Sequence, residues 1–298
     1  MGALSENSDA DRSPHPPRSA RRPPPQAGEV RGRPGIGWRE DVRFAKLLIM
    51  KSTAKTILQP TPPSDIAARV DALDWTQASR DLDAQGCAVL KGLLSPDECR
   101  ALAALYPHDN KFRSRVVMGR HGFGRGEYKY FSYPLPDLIA QLRPALYAQL
   151  YGVANRWNQA MGIDIHYPEQ HEAFLKRCHA AGQTRPTPLL LQYGADDYNC
   201  LHQDLYGEHV FPLQVAILLS EPGRDFTGGE FVLTEQRPRM QSRPEVVPLA
   251  QGDAVAFAVH HRPVQGTRGF YRVNLRHGVS RIRSGHRHTV GVIFHDAK

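Results

Sequence analysis

The chain has 298 residues, of which 41% are hydrophobic, so it can bury a substantial core and is not a disulfide-stapled mini-protein. Its 38 Lys and Arg residues exceed its 30 Asp and Glu residues, and the net charge of +8 is compatible with an anionic partner or substrate. The four cysteines form no CxxC pair, which argues against a zinc finger, a thioredoxin-type motif or a secreted disulfide framework and favours a reducing compartment.

The sequence shows no pattern typical of membrane insertion or export. No stretch approaches the roughly 18 consecutive apolar residues of a spanning helix. Glu6, Asp9 and Asp11 stand where a signal peptide would have its apolar segment. We therefore expect a cytoplasmic protein with no membrane partner, and nothing in the sequence points to a protein partner.

The composition changes along the chain and predicts four segments. Residues 1–40 contain seven Pro and seven Arg with few large apolar residues, so we expect a disordered tail. Residues 41–67 predict a short helix followed by a linker. Residues 68–187 predict a helical supporting part, and residues 188–298 predict a β-rich core.

Two helices near the start of the supporting part have clear end signals. Asp74 is placed to cap a helix that runs to about Gln85 and is ended by Gly86. Residues 95–98, Ser-Pro-Asp-Glu, form a capping box with Pro at the first helical position. The second helix is predicted to run from there to about Tyr106.

The rest of the supporting part predicts a strand over 87–94 and further helices. Apolar residues about four apart form one helical stripe, which Pro144 is expected to break into two pieces. The stripe comprises Leu138, Leu142, Leu146, Leu150, Ala154 and Trp157. Another helix is predicted over about 169–181, closed by Gly182.

From Pro188 onward, short β-rich runs alternate with Pro and Gly pairs. The runs read LLLQY, VFPLQVAILL, GEFVLT, EVVPL, DAVAFAV, YRVNL and HTVGVIF. Short strands after a run of helices predict an α+β chain, in which an N-terminal helical part packs on a C-terminal antiparallel sandwich or barrel.

The run YNCLHQDLYGE contains a candidate metal site. On a strand, residues i and i+2 face the same way, so His202 and Asp204 would project to one side and Gln203 to the other. His277, at the end of a predicted strand over 271–276, is well placed to supply a third ligand. Two His and one carboxylate with open positions form the facial triad of non-haem Fe(II) oxygenases.

The strand after His277 carries a candidate anion site. Arg287, Thr289 and Gly291 share one face of that strand. An inward-pointing arginine is costly unless a carboxylate meets it, which a bound dicarboxylic acid would provide, with the Thr289 hydroxyl adding a hydrogen bond. The alternative places Arg287 on the solvent face of an edge strand, with His286 and His288 packed inside.

These motifs resemble the Fe(II)/2-oxoglutarate-dependent dioxygenases. The shared pattern is HxD, a distal His, and an Arg ten positions later followed by x-Thr. Over about residues 68–298 the chain more closely resembles a prokaryotic family within that superfamily, generally described as oxygenases of damaged nucleic acid. The segments that carry this closer resemblance are RPTPLLLQY, NCLHQDLYGE, FTGGEFVLTEQRPRMQSR, RHGVS and GHRHTVGVIFHDA.

The resemblance implies a double-stranded β-helix, or jelly roll, and a set of site residues. His202, Asp204 and His277 would be the iron ligands. Arg287 would meet the distal carboxylate of 2-oxoglutarate, with Tyr193 as a hydroxyl donor to the same co-substrate. Fe(II) would be the cofactor, with 2-oxoglutarate and dioxygen as co-substrates. The implied reaction couples decarboxylation of 2-oxoglutarate to substrate hydroxylation, including oxidative dealkylation of damaged nucleic acid.

Other readings of the substrate stay open. Leu191 stands where the alkylated-base demethylases of the AlkB type have the Asn of their Asn-x-Tyr, and the GGEF and Gly-x-Arg-x-Thr patterns are nearer the prolyl hydroxylases. A protein (prolyl-type) or small-molecule hydroxylase is therefore one alternative. A non-oxygenase jelly roll that holds a metal for structure or hydrolysis is the other.

Two basic regions bear on the choice of substrate. Residues 262–298 hold eight basic residues and one acidic residue, which favours phosphate attraction, although co-substrate binding or protection of strand edges would also account for them. Residues 118–131 combine glycines, cations and aromatics. They predict either a mobile lid with Phe123, Tyr128 or Tyr130 stacking on a substrate, or ordinary packing of those rings.

Overall fold

The computed structural model describes residues 65–205 and 207–298. The predicted tail over 1–40 and the predicted helix before the linker lie outside the described residues. Within the described part, no helix is both long and apolar enough to cross a lipid bilayer. The segment boundaries and the cytoplasmic location stay predictions.

The described residues form five α-helices and fifteen strands. The helices are α1 (Ile66–Asp71), α2 (Trp75–Gln85), α3 (Pro96–Ala103), α4 (Asp137–Ala160) and α5 (His171–Ala180). The strands before the jelly roll are β1 (Cys87–Leu90), β2 (Phe112–Val117), β3 (Gly124–Arg125) and β4 (Glu127–Phe131). The later strands are β5 (Leu189–Tyr193), β6 (Tyr198–His202), β7 (Leu213–Leu218), β8 (Phe226–Gly228), β9 (Phe231–Gln236), β10 (Arg243–Val247), β11 (Ala254–Ala258), β12 (His261–Gly266), β13 (Gly269–Val279), β14 (Ile282–Gly285) and β15 (Arg287–Val292).

Two antiparallel sheets build the C-terminal half. The larger sheet has the order β1-β11-β7-β15-β5-β4-β2, and the smaller has β10-β9-β13-β6-β3 with β12 paired to β13. Eight of these strands, β5, β6, β7, β9, β10, β11, β13 and β15, form the jelly roll. Numbered one to eight along the chain, strands one, three, six and eight lie in the larger sheet and the other four in the smaller. This alternation is that of a double-stranded β-helix, so the predicted fold class is confirmed.

The helical part contributes strands as well as helices. β1 extends one edge of the larger sheet, and β4 and β2 extend the other. The predicted strand over 87–94 is shorter than expected and ends at Leu90. The reason is a turn held by Asp253, whose carboxylate accepts hydrogen bonds from the Gly92 amide at 2.9 Å and the Lys91 ammonium at 2.7 Å.

The predicted ends of α2 are confirmed and those of α3 in part. The Asp74 carboxylate accepts from the Gln77 amide at 2.8 Å, and Gly86 adopts a left-handed conformation after the last turn of α2. The capping box of Ser95 and Glu98 is present at α3. That helix ends at Ala103, a few residues earlier than expected.

Helix α4 is continuous through Pro144, so the prediction of two pieces is wrong. A proline inside a helix costs about 3 kcal/mol or more. Burying one large apolar side chain contributes about 1.5–3 kcal/mol, so a few such residues offset that cost. The apolar side chains that α4 buries are Ile139, Leu142, Leu146, Tyr147, Leu150, Val153, Ala154 and Trp157.

Candidate metal and co-substrate site

Pairing between β6 and β13 brings the two predicted histidine ligands together. His202 and His277 are direct register partners, and their ring centroids are 4.2 Å apart. His277 lies inside β13 rather than after it, because that strand runs further than predicted. Asp204 lies beyond the end of β6 and not on the strand as expected. It nevertheless faces both imidazoles.

The three side chains converge on one point. Asp204 Oδ1 lies 3.5 Å from His202 Nε2, and Asp204 Oδ2 lies 3.6 Å from His277 Nε2. Each of the three residues has a donor atom that lies within 4.8 Å of a donor atom of the other two. His202 Nδ1 lies 2.8 Å from the Cys200 carbonyl oxygen, which directs Nε2 toward the site.

His277 is positioned by packing. Its ring lies 4.6 Å from the Phe257 ring and 6.1 Å from the Phe231 ring, centroid to centroid. Burial lowers the pKa of His277 well below its ordinary value, which keeps the imidazole neutral and able to bind a metal. Burial raises the pKa of Asp204, opposed by the His202 charge and by Gln214.

A cavity of about 340 Å³ contains these side chains. Its walls come from both sheets of the jelly roll, so it lies between them. The larger sheet contributes Leu189, Leu191, Tyr193, Gln214, Val215, Ala216, Arg287, Thr289 and Gly291, while the smaller contributes Asn199, His202, Phe231, His277, Gly278 and Val279.

Arg287 occupies this cavity with few partners. It is 2% exposed, so the alternative of a solvent-facing Arg287 is wrong. Its Nη1 donates to Thr289 Oγ1 at 2.6 Å, and within the described residues its Nε makes no hydrogen bond. The guanidinium carbon lies 5.7 Å from the Tyr193 ring centroid and 5.8 Å from that of Phe226. Burial lowers the pKa of Arg287 to about 10, opposed by Tyr193 and Glu230.

Tyr193 stands beside Arg287. The two residues are register partners across β5 and β15, and Tyr193 is fully buried. Burial raises the pKa of its hydroxyl, which therefore stays protonated and able to donate. The Asn199 side chain opposes this shift, but the Tyr193 hydroxyl forms no hydrogen bond of good geometry within the described residues.

Some cavity residues were missed from the sequence. Gln214 lies near Asp204 and is 4% exposed, and its Nε2 has no hydrogen-bond partner among the described residues. A lone amide inside the apolar strand LQVAIL was the available signal. Gln203, expected to face away, also lines the cavity, and it donates to the Leu275 carbonyl at 2.6 Å.

The residues present fit an Fe(II) ion and a dicarboxylic acid. Two imidazoles and one carboxylate are the donor set of non-haem Fe(II) oxygenases. No carboxylate of the described residues forms an ion pair with Arg287, although its guanidinium is buried. A buried guanidinium in that situation is best matched by the carboxylate of a ligand.

The comparisons with known proteins agree with this chemistry. Residues 126–297, more than half of the chain, match a family model named Oxygenase-NA, described as an oxygenase catalysing oxidative methylation of damaged DNA. The chain belongs to this oxygenase family. It is also 50% identical over 182 residues to the uncharacterized proteins MT2286 and Rv2227 of Mycobacterium tuberculosis strains CDC 1551 and H37Rv. That alignment covers 60% of this chain and 78% of each relative.

Solved structures of similar proteins include a prolyl-4-hydroxylase from Pseudomonas putida, with a TM-score of 0.47 and 15% identity over 75% of this chain and 99% of that one. A 2OG-Fe(II) oxygenase family oxidoreductase from Burkholderia pseudomallei has a TM-score of 0.44 and 16% identity over 75% and 92%. The family model confirms the prediction of an oxygenase, and the strand order of the two sheets confirms the predicted jelly roll. The prediction of an oxidoreductase enzyme is confirmed with it.

Proposed function

We propose that this oxygenase depends on Fe(II) and 2-oxoglutarate and oxidises damaged nucleic acid. One observation carries the proposal: the group His202, Asp204 and His277 shares a cavity with Arg287, a buried cation that forms no ion pair with a carboxylate of the described residues. The candidate metal-binding residues and the candidate anion-binding residue therefore face the same cavity. The substrate part of the proposal is supported by the description of the family, which names damaged DNA.

The three ligands would hold Fe(II) and leave the remaining coordination positions open toward the cavity. Fe(II) supplies the oxidising chemistry, with 2-oxoglutarate and dioxygen as co-substrates. The Cys200 carbonyl fixes the tautomer of His202, and the phenyl rings of Phe257 and Phe231 hold the His277 ring. These contacts orient the two imidazoles before the metal binds.

The other end of the cavity would orient the co-substrate. The Arg287 guanidinium would form charge-assisted hydrogen bonds to the distal carboxylate of 2-oxoglutarate, and the Thr289 hydroxyl would add one more. The protonated Tyr193 hydroxyl is placed to donate a further hydrogen bond. Leu189 and Val215 add apolar surface to the cavity wall, which would disfavour water there.

The proposed reaction is an oxidative dealkylation. One oxygen atom of dioxygen enters the substrate C–H bond, the other enters succinate, and carbon dioxide is released. Hydroxylation of an N-methyl group gives a carbinol that breaks down to the free amine and formaldehyde. The net charge of +8 favours a phosphate-bearing substrate for this reaction.

The proposal is tested by aerobic turnover with Fe(II), 2-oxoglutarate and oligonucleotides that carry single methylated bases. We expect succinate formation and loss of the methyl group, measured by mass spectrometry. Succinate formation coupled to hydroxylation of peptides, with unchanged oligonucleotides, would replace the nucleic-acid substrate by a protein. A lack of any succinate dependent on Fe(II) would contradict the whole reaction class.

A further inference from the structure

The loop over residues 118–126, which we call the glycine loop, lies at the mouth of the cavity and is not used in the chemistry above. Resting on the proposed function, we propose that this loop is a stacking platform for the target base, with its arginines contacting the flanking phosphates. The substrate would then be an unpaired base in single-stranded nucleic acid. A base paired within a duplex would be excluded.

The glycine loop is tied to the strand that carries His202. Met118 is fully buried, and its amide donates to the Gly126 carbonyl at 3.0 Å, which closes the loop. The Phe123 carbonyl accepts from the Cys200 amide at 2.9 Å, and β3 pairs with β6. The loop thus has a defined position relative to the proposed iron ligands.

One glycine makes this close approach feasible. A Cβ at Gly124 would lie 2.4 Å from the backbone carbonyl oxygen of Tyr198, and the φ of Gly124 is +124°. A larger residue there would push the loop away from β6. The sequence therefore allows the neighbouring Phe123 to sit at the cavity rather than further out in solvent.

Phe123 presents an accessible ring at the cavity. It is 48% exposed and also lines the cavity wall. Its other contact is the His121 ring, with centroids 5.3 Å apart and planes at 24°. Further in, Tyr128 and Tyr130 line the same cavity with their rings nearly perpendicular. An exposed aromatic ring of this kind is a stacking surface for any base, because every base has a π-face.

The charge around the glycine loop matches a phosphate backbone. Residues 111–130 contain six basic residues and one acidic residue. Arg120 is exposed and forms no ion pair with another described residue. Arg125 is also exposed, with its Nε 3.7 Å from Asp197 Oδ1. These two arginines flank Phe123 in the chain, which suits contacts to the phosphates on either side of a stacked base.

The size of the cavity argues for one base and not a base pair. Its volume of about 340 Å³ is at the low end for small-molecule sites and must also hold the co-substrate. A base inside a duplex would first have to leave the stack, which costs a few kcal/mol. A single-stranded substrate avoids that cost. We therefore expect single strands to be bound and oxidised in preference to duplexes.

The test uses fluorescence anisotropy with the full-length, iron-loaded protein and one methylated oligonucleotide, single-stranded or annealed to its complement. Wild type should bind the single strand more tightly, and the affinity should fall steeply as salt rises. Phe123→Ala should weaken single-strand binding about fivefold to a hundredfold, since stacking of a base contributes ~1–3 kcal/mol. Phe123→Trp should retain the affinity, and Arg120→Gln should lower the salt dependence.

The matched control is Phe270→Ala. Phe270 is another exposed phenylalanine, 54% accessible, and it does not line the cavity. This variant should bind and oxidise the oligonucleotide as wild type does. Melting temperature and bound iron, measured for each variant, identify any that fails to fold.

The outcomes separate the platform from the proposed function. If wild type oxidises the single strand but Phe123→Ala binds it with the same affinity, the platform is wrong and the proposed function stands. Preference for the duplex by wild type would also overturn the platform. If wild type oxidises no nucleic acid and hydroxylates a peptide instead, the proposed function fails and the platform fails with it. Weakened single-strand binding by Phe123→Ala, restored in Phe123→Trp, supports the inference.

Discussion

Two regions of the molecule each bury an arginine, with opposite surroundings. Arg143 on α4 and Arg287 on β15 are both 2% exposed. The Arg143 guanidinium donates to Asp296 Oδ1 at 2.8 Å and to the carbonyl oxygens of Ile293 and His295 at 2.8 and 3.1 Å. Arg287 has only the Thr289 hydroxyl as a hydrogen-bond acceptor in the described part of the chain.

The difference separates a structural arginine from a binding arginine. A buried guanidinium loses its hydration, and protein acceptors must replace it. Around Arg143 the chain supplies those acceptors itself, including the fully buried carboxylate of Asp296. Around Arg287 the described residues supply no ion-paired carboxylate, since Glu230 acts on it only electrostatically, so we infer that the missing anion comes from a ligand. The same residue type therefore stabilises the fold in one region and, under the proposed function, would select a co-substrate in the other.

The largest effect should come from removing a proposed iron ligand in the cavity that also contains Arg287. His277→Ala leaves only His202 and Asp204, and we expect turnover to be abolished and bound iron to be lost. Metal analysis and succinate assays check this. His260→Ala and His261→Ala are the controls, because neither residue belongs to the converging group. Loss of turnover in a control with an active His277→Ala would show that the distal ligand is misassigned.

Replacing Arg287 should weaken co-substrate binding and leave the fold intact. Arg287→Ala removes charge-assisted hydrogen bonds of roughly 1.5–3 kcal/mol each, so 2-oxoglutarate affinity should fall on the order of tenfold to a thousandfold. Arg287→Lys should retain part of it, because an ammonium cannot form the planar fork. Calorimetric titration measures the affinity. The exposed Arg281→Ala is the control, and unchanged affinity in folded, iron-loaded Arg287→Ala would contradict the assignment.

Breaking the Arg143–Asp296 ion pair should destabilise the fold and spare the affinity for 2-oxoglutarate. Asp296→Asn leaves Arg143 as an uncompensated buried charge, and the free energy of unfolding should fall by about 3–5 kcal/mol. Urea denaturation measures this loss. Glu172→Gln breaks a solvent-exposed pair with Lys176 and should lower the free energy of unfolding far less. Equal losses in the two variants would show that burial of the Arg143 pair does not matter.

The smallest effect expected per residue concerns pH in the Arg143 region. Burial, followed by the Arg143 charge, lowers the pKa of His171 and of His295 to about 4. The folded pKa lies below the ordinary value near 6.5, so the stability is present above about pH 6.5 and is lost as the pH falls through about 4. Each histidine contributes at most about 3 kcal/mol at 1.36 kcal/mol per pKa unit. Urea denaturation from neutral to acid pH should show this loss, and His171→Gln should flatten it. The exposed His121→Gln should leave it unchanged.

The sequence predicted the site better than its surroundings. Alternation on β15 was enough to place Arg287, Thr289 and Gly291 on one wall, because the period of a strand is two. Asp204 was placed on the right side but on the wrong element. The end of β6 depends on its pairing with β13, where the register shifts after His277, and such pairing is not visible in a local pattern.

Tertiary packing explains the other differences. Helix α4 continues through Pro144 because burial of its apolar stripe outweighs the local cost of the proline. Strands β2 and β4 were missed because glycines and cations between them favoured a loop. The alternation of Tyr128 and Tyr130 was a signal that could have found β4. The assigned roles of the site residues stay predictions until the variants above are measured.

The position of β15 in the larger sheet has a consequence for biosynthesis. This strand is inserted between β5 and β7, which precede it by a long stretch of chain. Pairing of strands so distant in sequence is slow, and a nascent chain lacking residues 287–292 would expose two unpaired strand edges. The same residues carry Arg287 and Thr289. The docking of one late strand would thus close the sheet, protect its edges from aggregation and complete the proposed co-substrate pocket. A ribosome-stalled chain would therefore be both inactive and prone to aggregate.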